Sequence, residues 1–104
     1  MNTEPIYSTI LDDEPEFAPI VGRFVASLPS MLDGLRQAWE QHDWSRLSGI
    51  AHDLKGTAGN LGFPLLMRTA ARIETNANQQ NEASMEQLFA ELQHMAARIA
   101  IAPP

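Results

Sequence analysis

Residues 44–62 read WSRLSGIAHDLKGTAGNLG, which combines the apolar spacing of a packed helix with an unusual number of glycines. Apolar residues every three or four positions predict an amphipathic helix with one buried face, formed by Leu47, Ile50, Ala51, Leu54, Ala58 and Leu61. Asp43 is a suitable N-cap, and Gly62 follows the last apolar residue as a C-terminal glycine. Each glycine inside a helix costs about 1 kcal/mol relative to alanine. That cost needs a reason other than helix stability.

A long helix is predicted before this stretch. It begins at Asp13-Glu14-Pro15, where acidic residues and a proline suit the first turn, and it continues to about His42. Pro29 interrupts the run, although the apolar spacing stays in phase across it. We therefore expect one kinked helix or two nearly coaxial helices here.

Two more amphipathic helices are predicted after this stretch. The first begins at Phe63-Pro64, and the polar segment 76–83 separates it from the second. The second opens with Ser84-Met85-Glu86-Gln87, which fits a capping box, and its apolar spacing extends to Ile99.

The four helices together predict an all-α fold, an antiparallel four-helix bundle in up-down-up-down order. Residues 1–104 are expected to form one domain, with an N-terminal arm or short helix over 1–12 and the bundle over 14–101. No segment alternates like a strand.

Composition excludes several classes of function. The net charge of −6 and the scattered basic residues disfavour nucleic acid and anionic membranes as partners. The chain has no cysteine, no apolar run of the ~20 residues that a transmembrane helix needs, and no secretory signal at its N-terminus. We expect a cytoplasmic, monomeric protein without membrane insertion.

His52 lies on the outward face of the predicted helix, about 150° from the centre of its apolar sector. Apart from Lys55, its neighbours on that face are small: Ser45, Ser48, Gly49, Gly56 and Gly59. Core packing offers no reason for the three glycines. A face of small residues leaves the imidazole accessible and lets another protein approach closely. Gly56 is one turn from His52, and Lys55 can bring a cation to the same space. This pattern indicates a functional nucleophile rather than an ordinary surface histidine.

The other histidines do not join this cluster. His42 is placed at a helix end, and His94 is isolated on the fourth helix. Neither has the spacing of a metal site, so we predict no metal and no cofactor.

The segment from His52 to Thr57, HDLKGT, followed by Gly62, resembles the H-x-L-K-G-[ST] signature of histidine-containing phosphotransfer (HPt) domains of bacterial multistep phosphorelays. The resemblance extends to both sides of the motif, through Phe24-Val25, Leu28-Pro29, Leu35, Ala38, Asp43-Trp44, Gly62-Phe63, Leu65 and Ala71-Arg72-Ile73-Glu74.

The resemblance implies a phosphohistidine carrier. His52 would accept a phosphoryl group through Nε2 from an aspartyl phosphate of a receiver domain and pass it to another receiver, while Lys55 offsets the phosphoryl charge. The partners would be receiver domains of response regulators or of a hybrid sensor histidine kinase. The receiver supplies the Mg²⁺ site, and the chain has no glycine-rich nucleotide loop, so it is expected to be a carrier and not an enzyme. Both a stand-alone carrier and the terminal domain of a hybrid kinase fit the resemblance.

By its position in the family pattern, Glu74 is a candidate hydrogen-bond partner for the ring of His52. It would accept a hydrogen bond from Nδ1 and so fix the tautomer, although a salt bridge to Arg68 or Arg72 is an equal alternative. For the chain as a whole, the alternative function is a non-catalytic helical module that docks a partner through the same face.

Overall fold

The computed structural model describes residues 4–100, and the backbone alone is described at Ala100. Four α-helices dominate: α1 (Ala18–Glu40), α2 (Trp44–Asn60), α3 (Pro64–Asn78) and α4 (Met85–Arg98). Two strands of two residues each, β1 (Ile6–Tyr7) and β2 (Ile99–Ala100), pair in parallel. The all-helical class and the four predicted helices are confirmed, whereas the up-down-up-down order stays a prediction. The end of the predicted bundle at 101 lies outside the described residues.

Helix α1 runs unbroken through Pro29, so the alternative of two separate helices is wrong. A kink at Pro29 stays a prediction. The helix also begins later than predicted, because Pro15–Phe17 forms a 3-10 turn ahead of Ala18. Pro19 has no N–H and cannot donate to the carbonyl of Pro15, so the α-helical hydrogen bonds begin only after it.

The ends of the other helices test the predicted caps. The Asp43 side chain accepts a hydrogen bond from the backbone N–H of Arg46 over 3.2 Å, which confirms the N-cap of α2. Ser84 makes no side-chain cap hydrogen bond, so the capping box predicted for α4 is wrong. Helix α3 extends to Asn78, three residues into the segment 76–83 that was predicted as a loop.

The N-terminal arm is more ordered than an irregular segment. A 3-10 turn at Thr9–Asp12 confirms the short helical turn predicted there. The two short strands add to the predicted helical fold, and Ile99 belongs to β2 instead of α4. Ile6 is in register with Ile99. Two residues are too few to display an alternating pattern, so sequence periodicity cannot detect such strands.

The arm also covers the turn between α2 and α3. The backbone N–H of Thr9 donates to the carbonyl of Gly62 over 2.8 Å, and the hydroxyl of Ser8, which is buried, donates to the carbonyl of Leu61. Gly62 has a φ of +83°, and a Cβ built there would lie 2.5 Å from the backbone nitrogen of Ile10. Glycine is therefore required at this position for two reasons: the backbone is left-handed, and the N-terminal arm lies too close to leave room for a Cβ.

One apolar core lies between the four helices. Its largest fully buried side chains come from α1 to α4 and from the turn before α3: Val21, Leu35, Leu47, Leu54, Phe63, Leu66, Ile73, Met85, Leu88 and Leu92. Burying such a side chain contributes about 1.5–3 kcal/mol. The core accordingly holds the helices in place and leaves their outer faces available to carry the site.

Candidate functional site

Helices α2 and α3 bring the candidate residues together, and α2 packs along far more of α3 than of α1. Both helices bury small residues, Ala51 and Ala58 on α2 and Ala70 and Ala77 on α3. Because alanine side chains are short, the helix backbones approach closely. A side chain at the edge of α3 can therefore reach the outward face of α2.

Glu74 of α3 contacts both His52 and Lys55 of α2. Nδ1 of His52 lies 2.9 Å from Oε2 of Glu74, and the Nζ ammonium of Lys55 donates to Oε1 over 2.6 Å. The His52 side chain is 65% exposed, as its position on the helix predicts, whereas the Glu74 side chain is only 16% exposed. One carboxylate at the base of the cluster thus holds two side chains of the neighbouring helix.

The hydrogen bond to Glu74 determines which nitrogen of His52 carries the proton in the neutral ring. An ionised carboxylate only accepts hydrogen bonds, so Nδ1 is the donor. Nε2 then keeps its lone pair and belongs to a side chain that projects into solvent. This is the protonation state that a nucleophilic imidazole requires.

The pKa of Glu74 is lowered from its usual value, chiefly by the hydrogen bond from Lys55, with a further contribution from His52. Desolvation by burial opposes the shift. Glu74 therefore stays ionised at neutral pH, and the Lys55 ammonium offsets its negative charge.

The glycines of α2 fall into two groups. A Cβ added at Gly49 or Gly56 would meet nothing within 4 Å, so the helix surface is open on both sides of His52. A Cβ at Gly59 would lie 2.8 Å from the sulfur of Met67 on α3. The expectation that packing gives no reason for these glycines is therefore wrong at Gly59, because α3 passes close to it.

The two serines predicted on the same face differ in their surroundings. Ser45 is exposed, whereas Ser48 is half-buried and its hydroxyl donates to Oδ1 of Asn78 over 2.6 Å. The sequence analysis missed Asn78 because it placed the residue in a loop. The i, i+4 spacing from Glu74 to Asn78 would have placed both side chains on the same edge of α3.

The family model of the Hpt domain matches residues 19–102, most of the chain. The chain belongs to the Hpt domain family. Membership implies phosphotransfer in two-component signalling through interaction with receiver domains, a role of carriers and not of classical enzymes. Neither the curated proteins nor the solved structures yielded a match to the chain.

The alternative salt bridges of Glu74 do not form in this Hpt domain. Arg72 instead pairs with Glu91 on α4, with 3.6 Å between Nη1 and Oε2, and no ion pair within residues 4–100 joins Glu74 to Arg68. Glu74 therefore belongs to the His52 cluster.

The other two histidines of the Hpt domain lie away from His52. His42 has a positive φ of 54°, and its Nε2 lies 3.3 Å from Oε1 of Glu82. His94 belongs to α4 and borders a groove between α3 and α4. Within residues 4–100, no group of three or more His, Asp or Glu side chains could hold a metal ion, and no helix has the length and apolarity needed to cross a membrane.

Proposed function

We propose that this Hpt domain is a phosphohistidine carrier in a phosphorelay, with His52 as the residue that accepts and releases the phosphoryl group. It takes the group from the aspartyl phosphate of one receiver domain and transfers it to the aspartate of another. The observation that carries the proposal is the Nδ1–Glu74 hydrogen bond on an exposed imidazole, which leaves Nε2 as the nucleophile.

In the transfer step, the Nε2 lone pair attacks the phosphorus of the aspartyl phosphate. A P–N bond forms while the P–O bond to the aspartate breaks, and the aspartate carboxylate leaves with the electron pair. Transfer to the second receiver reverses these roles. No net proton transfer is needed, because Nδ1 keeps its hydrogen throughout.

Glu74 supports this step through the charge of the ring. When Nε2 bonds to phosphorus while Nδ1 keeps its hydrogen, the imidazole becomes positively charged. The Glu74 carboxylate lies 2.9 Å from Nδ1 and stabilises that charge, in the way that a buried aspartate stabilises the imidazolium of a catalytic triad. Because the carboxylate contacts the Nδ1 side and not Nε2, its repulsion of the incoming phosphoryl group is limited, and Lys55 offsets it further.

Lys55 and the open helix face have separate roles in the proposal. An ammonium group has three N–H donors. One of the Lys55 donors is engaged by Glu74, and the others are available to phosphoryl oxygens after a small movement of the side chain, which is 35% exposed. Ser45, Ser48, Gly49, Gly56 and Gly59 form the face on which a receiver would dock. The cytoplasmic location and the monomeric state stay predictions.

Labelling by a phosphorylated receiver domain tests the proposal. The wild-type chain should become labelled with an acid-labile, base-stable bond, which is typical of phosphohistidine. His52→Gln should abolish labelling, because the amide has no comparable nucleophile. His94→Gln, the same substitution on α4, is the matched control and should be labelled normally.

Circular dichroism should show that both variants keep wild-type helicity. Normal labelling of a folded His52→Gln variant would disprove the assignment. If several phosphorylated receivers bind the wild-type chain without labelling it, the alternative of a non-catalytic docking module is correct.

A further inference from the structure

A second surface, separate from His52, lies between α3 and α4. The two helices border a groove of about 390 Å³. Each helix contributes four residues at positions i, i+3, i+4 and i+7, starting at Leu65 on α3 and at Glu91 on α4. This spacing places one continuous stripe of each helix along the groove. Such a groove has the shape that binds a third helix.

The groove is positively charged on an acidic protein. Three of the seven basic side chains of the chain line it, Arg68, Arg72 and Arg98, with one of the thirteen acidic ones, Glu91. Arg72 and Glu91 are 3.6 Å apart and both partly exposed, so this pair is weak and exchangeable. Arg68 is exposed and makes no ion pair with any residue in the range 4–100. The groove therefore carries a net positive charge on a chain whose net charge is −6.

The same groove offers apolar contact. Leu65, at one end of the α3 stripe, is 48% exposed and is one of two large hydrophobic residues with such exposure among those described. Met95, which is 9% exposed, lies at the base of the groove. Guanidinium groups beside an exposed leucine and a methionine suit a partner that is acidic and apolar on the same face.

We propose that the α3–α4 groove docks an acidic amphipathic helix of a partner protein. Arg68 and Arg72 are one turn apart, about 6 Å along the axis of α3, which matches carboxylates at i and i+4 of a partner helix. Apolar side chains of that helix would rest on Leu65 and Met95. A nucleic acid or an anionic membrane extends beyond the groove and would meet the acidic remainder of the surface, whereas a short helix would not.

The groove and the His52 surface are on different sides of α3. Arg72 is two residues from Glu74, which corresponds to about 200° around the helix. Glu74 faces α2, whereas Arg72 faces α4. A helix in the groove would therefore leave His52 accessible, and the proposal does not depend on phosphotransfer.

Fluorescence anisotropy with a synthetic helix tests the proposal without any phosphoryl group. The probe is a fluorescein-labelled peptide of about 16 residues, long enough to be partly helical, with glutamates at i and i+4 and leucines at i+3 and i+7. We expect the full chain to bind it with a Kd in the micromolar range. Arg68→Glu should weaken binding at least tenfold, and Leu65→Ser should weaken it severalfold.

Arg23→Glu is the matched control, since Arg23 is an exposed arginine on α1 outside the groove and the charge change is the same. It should leave the Kd within about twofold of the wild-type value. Equal weakening by Arg23→Glu and Arg68→Glu would show a non-specific charge effect and overturn the proposal. Binding that survives both groove variants, or no binding at all, would also overturn it.

A concentration-dependent dimer in sedimentation, lost in Arg68→Glu, would show that the occupant is a second copy of this chain instead. That result would overturn the assignment to a partner helix. Circular dichroism of each variant confirms that the helices remain formed.

Discussion

The middle and the end of α2 use glycine for different physical reasons. Around Gly56 the helix surface is open, and an added Cβ would meet nothing within 4 Å. At Gly62, just past the end of the helix, φ is +83° and an added Cβ would lie 2.5 Å from the backbone of the N-terminal arm. The first glycine lowers the stability of its helix, whereas the second is required by the fold.

This comparison distinguishes the glycines that the fold requires from those that it does not require. A residue that costs stability and fills no steric need is a candidate for a binding role, because the fold does not explain it. Gly49 and Gly56 meet this criterion beside His52, and Gly62 does not. Gly59 is intermediate, since its close neighbour is the flexible end of the Met67 side chain.

The largest change in the free energy of unfolding is expected for a substitution at Gly62, just past the end of α2. Gly62→Ala should destabilise the protein by about 3 kcal/mol or more, because it combines a strained φ with a clash against backbone atoms. Urea unfolding followed by circular dichroism measures the change. A loss of less than about 1 kcal/mol would show that the arm moves away easily and would remove the contrast with Gly56.

A smaller effect is expected at Glu74, where the interaction is electrostatic. Glu74→Gln should cost about 1 kcal/mol at pH 7, because it replaces an ionic partner of Lys55 with a neutral one. The folded protein lowers the pKa of Glu74, so its contribution is complete above the ordinary glutamate pKa of about 4.3 and is lost as pH falls through the lower folded value.

The difference in stability between wild type and Glu74→Gln should therefore shrink below about pH 4.3 and be smaller at pH 3 than at pH 7. Urea unfolding at pH 7 and pH 3 measures both values. A difference that persists unchanged at pH 3 would show that the carboxylate charge is not the cause. The Gly62→Ala effect has a steric origin and should not change in this way.

The smallest effect, of opposite sign, is expected in the middle of α2. Gly56→Ala should stabilise the protein by up to about 1 kcal/mol, since alanine is the better helix former and the added methyl group has open space. Gly59→Ala is the matched comparison and should gain less, because Met67 must move. Thermal unfolding compares the two. Destabilisation by Gly56→Ala would mean that the open face has a structural role.

Sequence reasoning predicted the four helices because their apolar residues repeat at helical spacing over many turns. It also placed His52 in solvent, since that follows from counting residues around α2. It failed at features without a repeating pattern. The two-residue strands, the later start of α1 and the missing cap at Ser84 each depend on a few local hydrogen bonds.

The partner of Glu74 could not be chosen from the sequence. His52, Arg68 and Arg72 were the predicted alternatives, and the contact with Lys55 was not predicted. The close packing of α2 on α3 decides which contacts form. The docking roles of the small residues on α2 remain predictions.

Apolar spacing in the sequence is enough to predict the all-helical class, the buried face of each helix and the exposed histidine among small residues. These depend on periodicity within single helices, which the order of residues encodes directly. The packing of the helices is needed to show that Glu74 contacts both His52 and Lys55, that Gly62 lies against the arm, and that three arginines line the groove between α3 and α4. Those relationships join residues from different elements, and their distances follow from how the helices pack.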